Sequence, residues 1–144
     1  MKSLQILRGI QGAGKSTYAK AVPDALICSA DDFFLQPDGT YAYDRSKIQE
    51  AHAFCFNKCH EALHQGDSPV IIDNMNAEAW EISPYVMLGQ ALGYTVEILN
   101  FHCEVSVGAM RNVHSVPFED IDRVAKRMKE AKLPRFWKIR QMAC

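Results

Sequence analysis

The stretch that most constrains this chain is Gly9-Ile10-Gln11-Gly12-Ala13-Gly14-Lys15-Ser16-Thr17. It fits the pattern Gly-x4-Gly-Lys-Ser/Thr, and its flanks dictate how it must fold. Residues 4–7 are an apolar run suited to a buried strand, and residues 15–21 are compatible with a helix. A strand that turns through glycines directly into a helix aims successive backbone N–H groups at one point, at the positive end of the helix dipole. Gly9, Gly12 and Gly14 permit the conformations and close approach that a side chain would resist. Gly12, Ala13, Gly14, Lys15, Ser16 and Thr17 are therefore the candidate nucleotide-binding residues. Lys15 is placed to neutralise β- and γ-phosphates, and the Ser16 hydroxyl to complete the coordination of a Mg2+ ion. The bland alternative is a chance glycine loop, and the strand–loop–helix context weighs against it.

At 144 residues the chain is expected to be one domain, 1–144, with a single packed core. Its 48% apolar and 23% charged content is that of an ordinary globular protein. No apolar run approaches the ~20 residues that span a bilayer, and no cationic-plus-apolar leader precedes the first strand. No membrane partner is expected. Five cysteines (28, 55, 59, 103 and 144) lack framework spacing and suit reduced thiols in a cytoplasmic protein. The net charge of −1 hides an asymmetry: residues 121–144 carry eight Lys/Arg against Asp122 and Glu130. Either an anionic partner binds at that end or the charges line a solvated helix face.

Along the chain, strand and helix patterns alternate, which predicts a parallel sheet covered on both faces. Residues 25–29 read as a second strand ending at Ala30-Asp31-Asp32, and residues 33–43 as an aromatic hairpin or flap around the turn Pro37-Asp38-Gly39. A helix spans 45–65, and Val70-Ile71-Ile72-Asp73 is a third strand with a carboxylate at its end. Ser83-Pro84 is a helix start, with a stop at Gly93. Residues 95–101 form a fourth strand, 105–113 a short helix, and 118–131 an amphipathic helix. The last ten residues are basic and aromatic, without an assigned element.

In such a sheet, ligands collect at the carboxyl ends of the strands, so the glycine loop, Asp31-Asp32 and Asp73 are expected to share one crevice. Phosphoryl transfer needs the phosphates held, their charge neutralised and an acceptor aligned. Asp73 suits the metal together with Ser16. One of Asp31 and Asp32 suits the general base, since a carboxylate beside an acceptor hydroxyl can take its proton. The residues alone do not decide which. Phe33, Phe34, Tyr41 and Tyr43 either stack a base or form the underside of a flap. His52, Cys55, Cys59 and His60 lack metal-site spacing, and no metal is expected there.

The chain resembles the small P-loop kinases related to the kinase domain of phage polynucleotide 5′-hydroxyl kinase, and the kinase-like domains of the Nedd-binding-protein group. The resemblance covers residues 3 to 130. It is carried by Leu-Arg-Gly-Ile-Gln-Gly-Ala-Gly-Lys-Ser-Thr, Ser-Ala-Asp-Asp-Phe-Phe, Gly-Thr-Tyr-Ala-Tyr-Asp, Val-Ile-Ile-Asp-Asn-Met-Asn, Trp80, Pro84-Tyr85-Val86 and the run from Arg111 to Pro117.

It implies an α/β P-loop three-layer sandwich with a parallel sheet of four or five strands in the order 2-3-1-4, helices on both faces and a lid at about 105–117. It also implies ATP and Mg2+ as cofactors, Asp31 as general base, and Arg111 as a lid arginine reaching the transferring phosphate. With Lys15 these make the catalytic set. Asp32, Phe34, Asn74, Asn76, Arg123 and Arg127 are the substrate-side candidates. Asn74 and Asn76 match the family's run and either hydrogen-bond the acceptor or, as turn residues, hold the loop. Arg123 and Arg127 either match arginines of the helix after the lid or are ordinary solvated helix charge. Phe34 departs from the family, standing where an arginine would grip the acceptor's phosphate, and the lid is shorter. A nucleic-acid hydroxyl, at a 5′ end or on a hydroxymethylated base, is the leading acceptor. A metabolite or nucleoside kinase, and a nucleotide-binding switch that hydrolyses ATP slowly, are the alternatives.

Overall fold

The computed structural model describes residues 1–112 and 116–144. Five parallel strands form one sheet: β1 (Ser3–Arg8), β2 (Leu26–Cys28), β3 (Val70–Asp73), β4 (Thr95–His102) and β5 (Ile139–Ala143). Their order is β2-β3-β1-β4-β5. The expected 2-3-1-4 order is present, extended by β5 at the edge. That fifth strand comes from the residues left unassigned by pattern. Ile139 to Ala143 lacks a clean apolar alternation because β5 is an edge strand, pairing only with β4, from Ile98↔Ile139 to His102↔Ala143.

Period-two alternation within the strands divides the core in two. Leu4, Ile6, Val70, Ile72 and Ile98 point to one face, where α2 (Ile48–Gln65) and α3 (Ala79–Ala91) cover them with Cys55, Cys59, Leu63, Ile82 and Val86. Leu7, Ile71, Leu99 and Phe101 point to the other, where they pack with Ala19 of α1 (Lys15–Ala21) and with Ile121 and Val124 of α5 (Phe118–Glu130). A short helix, α4 (Val105–Arg111), lies on this second side against α5.

Two boundaries differ from the pattern reading. The third helix begins at Ala79, one turn before Ser83-Pro84, so Pro84 lies inside it. Ile82, Tyr85, Val86 and Gly89 of that helix are buried, and this packing outweighs the hydrogen bond a proline forfeits. Residues 45–65 split into a 3-10 turn, Arg45–Lys47, and α2 itself. Asp44 starts the turn by accepting from the Ser46 N–H, and α2 stops at Gly66 as expected. Between β2 and this turn, Ala30–Phe34 forms another 3-10 turn. After it, Leu35 and Tyr41 pair antiparallel around Gly39, which is the expected hairpin.

Because every strand is parallel, the ends of β1, β2 and β3 open on the same edge of the sheet. That edge carries residues 9–17, Ser29 to Asp32, and Asp73 to Asn76.

Candidate active site

The glycine loop joins β1 to α1 and is held by backbone. The Gly9 N–H donates to the Met75 carbonyl at 3.0 Å, which ties the loop to the segment after β3. Gly12 has φ +79°, and a Cβ there would stand 2.2 Å from the Gly108 carbonyl oxygen of α4. Gly108 is equally confined, since its own Cβ would meet the Gln11 carbonyl at 2.5 Å. The α4 helix thus rests backbone to backbone on the phosphate loop, and only glycine fits on either side of the contact. Gly14 caps α1 in the left-handed conformation.

Lys15 is buried and donates to the Gly9 and Ile10 carbonyls at 2.7 and 2.8 Å. Burial lowers its pKa to about 8, although the negative fields of Asp73 and Asp31 act to raise it. The Ser16 hydroxyl donates to Asp73 Oδ2 at 2.7 Å. Burial pushes the Asp73 carboxyl upward against the Ser16 hydrogen bond and the nearby Lys15 charge. These residues fit a Mg2+-bound nucleotide. Ser16 and Asp73 are paired oxygen donors, and nothing lies within 4 Å of where a Cβ of Gly14 would stand, so the cradle has room for phosphate. Among the described residues, no group of three or more His, Cys, Asp or Glu side chains is placed to hold a metal. A Mg2+ ion here would take its remaining ligands from phosphate oxygens and water.

Two crevices meet above this loop. The first, of 380 Å³, is lined by residues 11–17, Asp31, Asp73, Asn74, Met75, Arg111 and Asn112. The second, of 320 Å³, is lined by Lys20, Ile27, Ser29, Asp32, Leu35 and Tyr41, together with Ser16, Asp31 and Asp73. Ser16, Asp31 and Asp73 belong to both. Asp31 is set by its surroundings. Ser29 accepts from the Asp31 N–H at 3.3 Å, and the Tyr41 hydroxyl donates to Asp31 Oδ1 at 3.2 Å. Burial and the adjoining Asp31 charge raise the Tyr41 hydroxyl's pKa, so it stays a donor.

The structure brings the nucleotide-binding set, Asp31, Asp73, Asn74 and Arg111 to the first crevice and Asp32 to the second. Four of the substrate-side candidates line neither crevice, and Asn76 and Arg123 fit the alternatives of loop-holding and solvated helix charge. Phe34 is buried in the core and faces neither crevice. Asn76 is buried too: its amide donates to the Leu7 carbonyl at 2.7 Å, and its own carbonyl accepts from Arg8. Arg127 spans to Glu78 and Glu81 at 2.6 and 2.7 Å, tying α5 to α3. Arg123 pairs with Asp120 on the exposed face of its own helix. Neither arginine lines a crevice described here. Asn74 holds the loop before Asp31: its Oδ1 accepts from the Ala30 N–H at 2.9 Å, and its amide donates to Cys55 Sγ. The part of the lid at 113–115, including His114, lies outside the described residues.

The basic C-terminal stretch is also less bare than its count suggests. Arg123, Lys126, Arg127, Lys138 and Arg140 all pair with carboxylates, the last two with Glu97.

Three residues escaped sequence reasoning. Lys20 lines the second crevice one helical turn after Ser16, a spacing that could have marked it. Tyr41 was read only as a ring, whereas its hydroxyl touches the base candidate. Arg8 is buried and donates to the Asn76, Ala77 and Met128 carbonyls at 3.1, 2.6 and 3.1 Å. It clamps the segment after β3 to α5, and a lone arginine at a strand end carries no sequence signal for that role.

Comparisons with known proteins bear on the family and the fold. A family profile described as "AAA domain" matches residues 4–131. NEDD4-binding protein 2 from Homo sapiens is 38% identical over 129 residues, covering 84% of this chain. The match spans only 7% of that protein's length. A chain in the Pnkp1/Rnl/Hen1 RNA repair complex superposes with a TM-score of 0.71 at 19% identity, over 89% of this chain and 44% of that one. A gluconokinase from Sinorhizobium meliloti 1021 superposes with a TM-score of 0.58 at 15% identity, over 99% and 82% of the two chains. At these identities the two structures speak for the fold alone. No helix among the described residues is long and apolar enough to cross a membrane. With the glycine loop, the Ser16–Asp73 pair and the parallel sheet in place, the chain belongs to the AAA-domain family of P-loop kinase-like, nucleotide-binding proteins.

Proposed function

We propose that the protein is an ATP- and Mg2+-dependent kinase that phosphorylates a hydroxyl, with a nucleic-acid hydroxyl as the leading acceptor. The observation that carries this reading is the junction of the two crevices at Ser16, Asp31 and Asp73. A cradle for the phosphate donor opens there onto a second cleft, and a carboxylate stands at the boundary.

The loop amides and Lys15 hold the β- and γ-phosphates, and Arg111 from α4 reaches the same crevice to offset charge on the transferring group. Mg2+ bound at Ser16 and Asp73 supplies charge neutralisation for the phosphates. The acceptor sits in the second cleft with its hydroxyl beside Asp31. Asp31 takes the hydroxyl proton as the acceptor oxygen bonds to the γ-phosphorus, and the bond from that phosphorus to the β–γ bridging oxygen breaks, releasing ADP. Tyr41 and Ser29 keep the Asp31 segment in position.

The likeness to a chain of an RNA repair complex supports a nucleic-acid acceptor. A small polyol acceptor is the second reading. The second cleft favours it in one respect: among its described lining residues, three are carboxylates (Asp31, Asp32 and Asp73) and one is a lysine (Lys20), a poor setting for a phosphate-rich ligand. The test uses γ-labelled ATP, Mg2+ and a panel of 5′-hydroxyl DNA and RNA, hydroxymethyl-pyrimidine DNA, nucleosides, polyols and no acceptor. Label in a nucleic acid, lost in Lys15→Ala and Asp31→Asn, is the expected outcome. Label in a polyol alone transfers the assignment to a metabolite kinase. Phosphate release unchanged by any acceptor overturns the kinase reading.

A further inference from the structure

The aromatic residues of the 33–43 segment divide into two sets that a pattern cannot distinguish. Phe33 and Phe34 turn inward. Phe34 is buried, and Phe33 packs between it and Phe54 of α2, with ring centroids 5.4 and 5.8 Å away. Tyr41 is half-buried against the same core and Tyr43 turns outward, and their rings lie nearly parallel, 13° apart with centroids 6.4 Å apart. Both meet Phe34 edge-on, at 6.0 and 5.2 Å, so Tyr41 ties the pair to the core and Tyr43 presents its ring to solvent. Tyr43 is 54% exposed, and Leu35, bridged to Tyr41, is 51% exposed. Tyr41 lines the second crevice, and its hydroxyl reaches Asp31.

We propose that the Tyr41–Tyr43 pair is a stacking platform for a nucleobase, and that it binds the base of the nucleoside whose hydroxyl lies at Asp31. The inference rests on the kinase reading for the role of Asp31, and it deepens that reading by naming the acceptor class. The physical case has three parts. An exposed tyrosine held parallel to a second ring adds a base to its column at little entropic cost, because the rings are already fixed by Phe34. Stacking recognises a base without phosphate contacts, so it suits a cleft that carries three carboxylates and one lysine. The Tyr41 hydroxyl links the platform to the general base, so base binding and hydroxyl alignment share one residue. A flap that merely covered the core would bury Tyr43, and it does not.

The test has two arms on the full chain. In the first, Tyr43→Ala is expected to raise KM for a 5′-hydroxyl oligonucleotide about 10-fold, with kcat and the KM for ATP little changed, and Tyr43→Trp to restore it. An oligonucleotide with an abasic 5′ nucleotide should lose affinity to the same degree on the unmodified protein and nothing further on Tyr43→Ala. In the second arm, which needs no transfer, an oligonucleotide with 5′-terminal 2-aminopurine should be quenched on binding and should lose that quench in Tyr43→Ala. Quenching without transfer would keep the platform and refute the kinase reading. Transfer with an unchanged KM in Tyr43→Ala and no preference against the abasic end would refute the platform and keep the kinase. Neither quenching nor transfer would refute both.

Discussion

The two halves of the crevice are built from different materials. The donor half, residues 9–17 with Asp73, is made largely of backbone, fixed between β1, β3 and α1 and pressed by α4 at the Gly12–Gly108 contact. Its key side chains, Lys15 and Asp73, already have partners within the protein. The acceptor half, residues 29–43, is two short turns and a single antiparallel bridge, and its side chains are mostly exposed. A backbone-made site cannot change its ligand without refolding, whereas an exposed side-chain site can change with a few substitutions. On the proposed kinase reading, the donor half is therefore the part whose chemistry follows from the fold, and the acceptor half is where specificity would be decided.

The largest expected effect is at the boundary. Asp31→Asn should cut phosphoryl transfer by about 10²–10⁴-fold while leaving ATP affinity nearly unchanged, in assays that follow single turnover and nucleotide binding separately. If ATP affinity fell as well, the two halves would be less separable than their construction suggests. Gly12→Ala tests the donor half. The added methyl meets the Gly108 carbonyl in a left-handed backbone conformation, so a loss of about 2–3 kcal/mol is expected, read as a fall in thermal midpoint, with ATP binding lost along with it. A larger side-chain change on the acceptor flank, Leu35→Ala at an exposed position, should leave the midpoint nearly unchanged.

A pH titration sharpens the contrast further. Lys15 has a folded pKa of about 8, lowered by burial from 10.5. Its buried charge costs stability fully below about pH 8. That cost is relieved as pH rises towards the unfolded value, because the unfolded chain then holds a proton that the native state has released. ATP requires the charged form, so its affinity is expected to fall above about pH 8 and its binding there to take up a proton. Calorimetry in buffers of different ionisation enthalpy measures that uptake, and binding with no proton uptake at pH 9 would contradict it. The smallest effect is expected far from both halves. Arg127→Ala removes a half-exposed bridge between α5 and α3 and should cost only about 0.5–1 kcal/mol by denaturant titration, with no change in KM for either substrate.

The difference between the halves also explains what could be read in advance. A nine-residue run specified the loop because its function lies in backbone direction, and glycine spacing encodes backbone direction. Val70 to Asp73 was equally legible, since a short apolar run ending in a carboxylate has few alternatives beside such a loop. Phe34 and Asn76 were not. Each lies next to a site residue in sequence, yet 3-10 geometry turns Phe34 into the core, and the left-handed backbone at Asn76 (φ +50°) accompanies an amide bond to the Leu7 carbonyl. Sequence proximity does not report side-chain direction in irregular segments.

By itself, then, the sequence determined the parallel α/β architecture, the phosphate loop and the acids at the strand ends, because these follow from local periodicity and from residue types with few physical uses. Only the tertiary structure decided that β5 extends the sheet at its edge, that Arg8 clamps the segment after β3, that Arg127, Lys138 and Arg140 are spent on Glu78, Glu81 and Glu97, and that Tyr41 reaches Asp31. Those are pairings between residues on different elements, and a partner's identity there is fixed by packing, which composition and spacing do not encode.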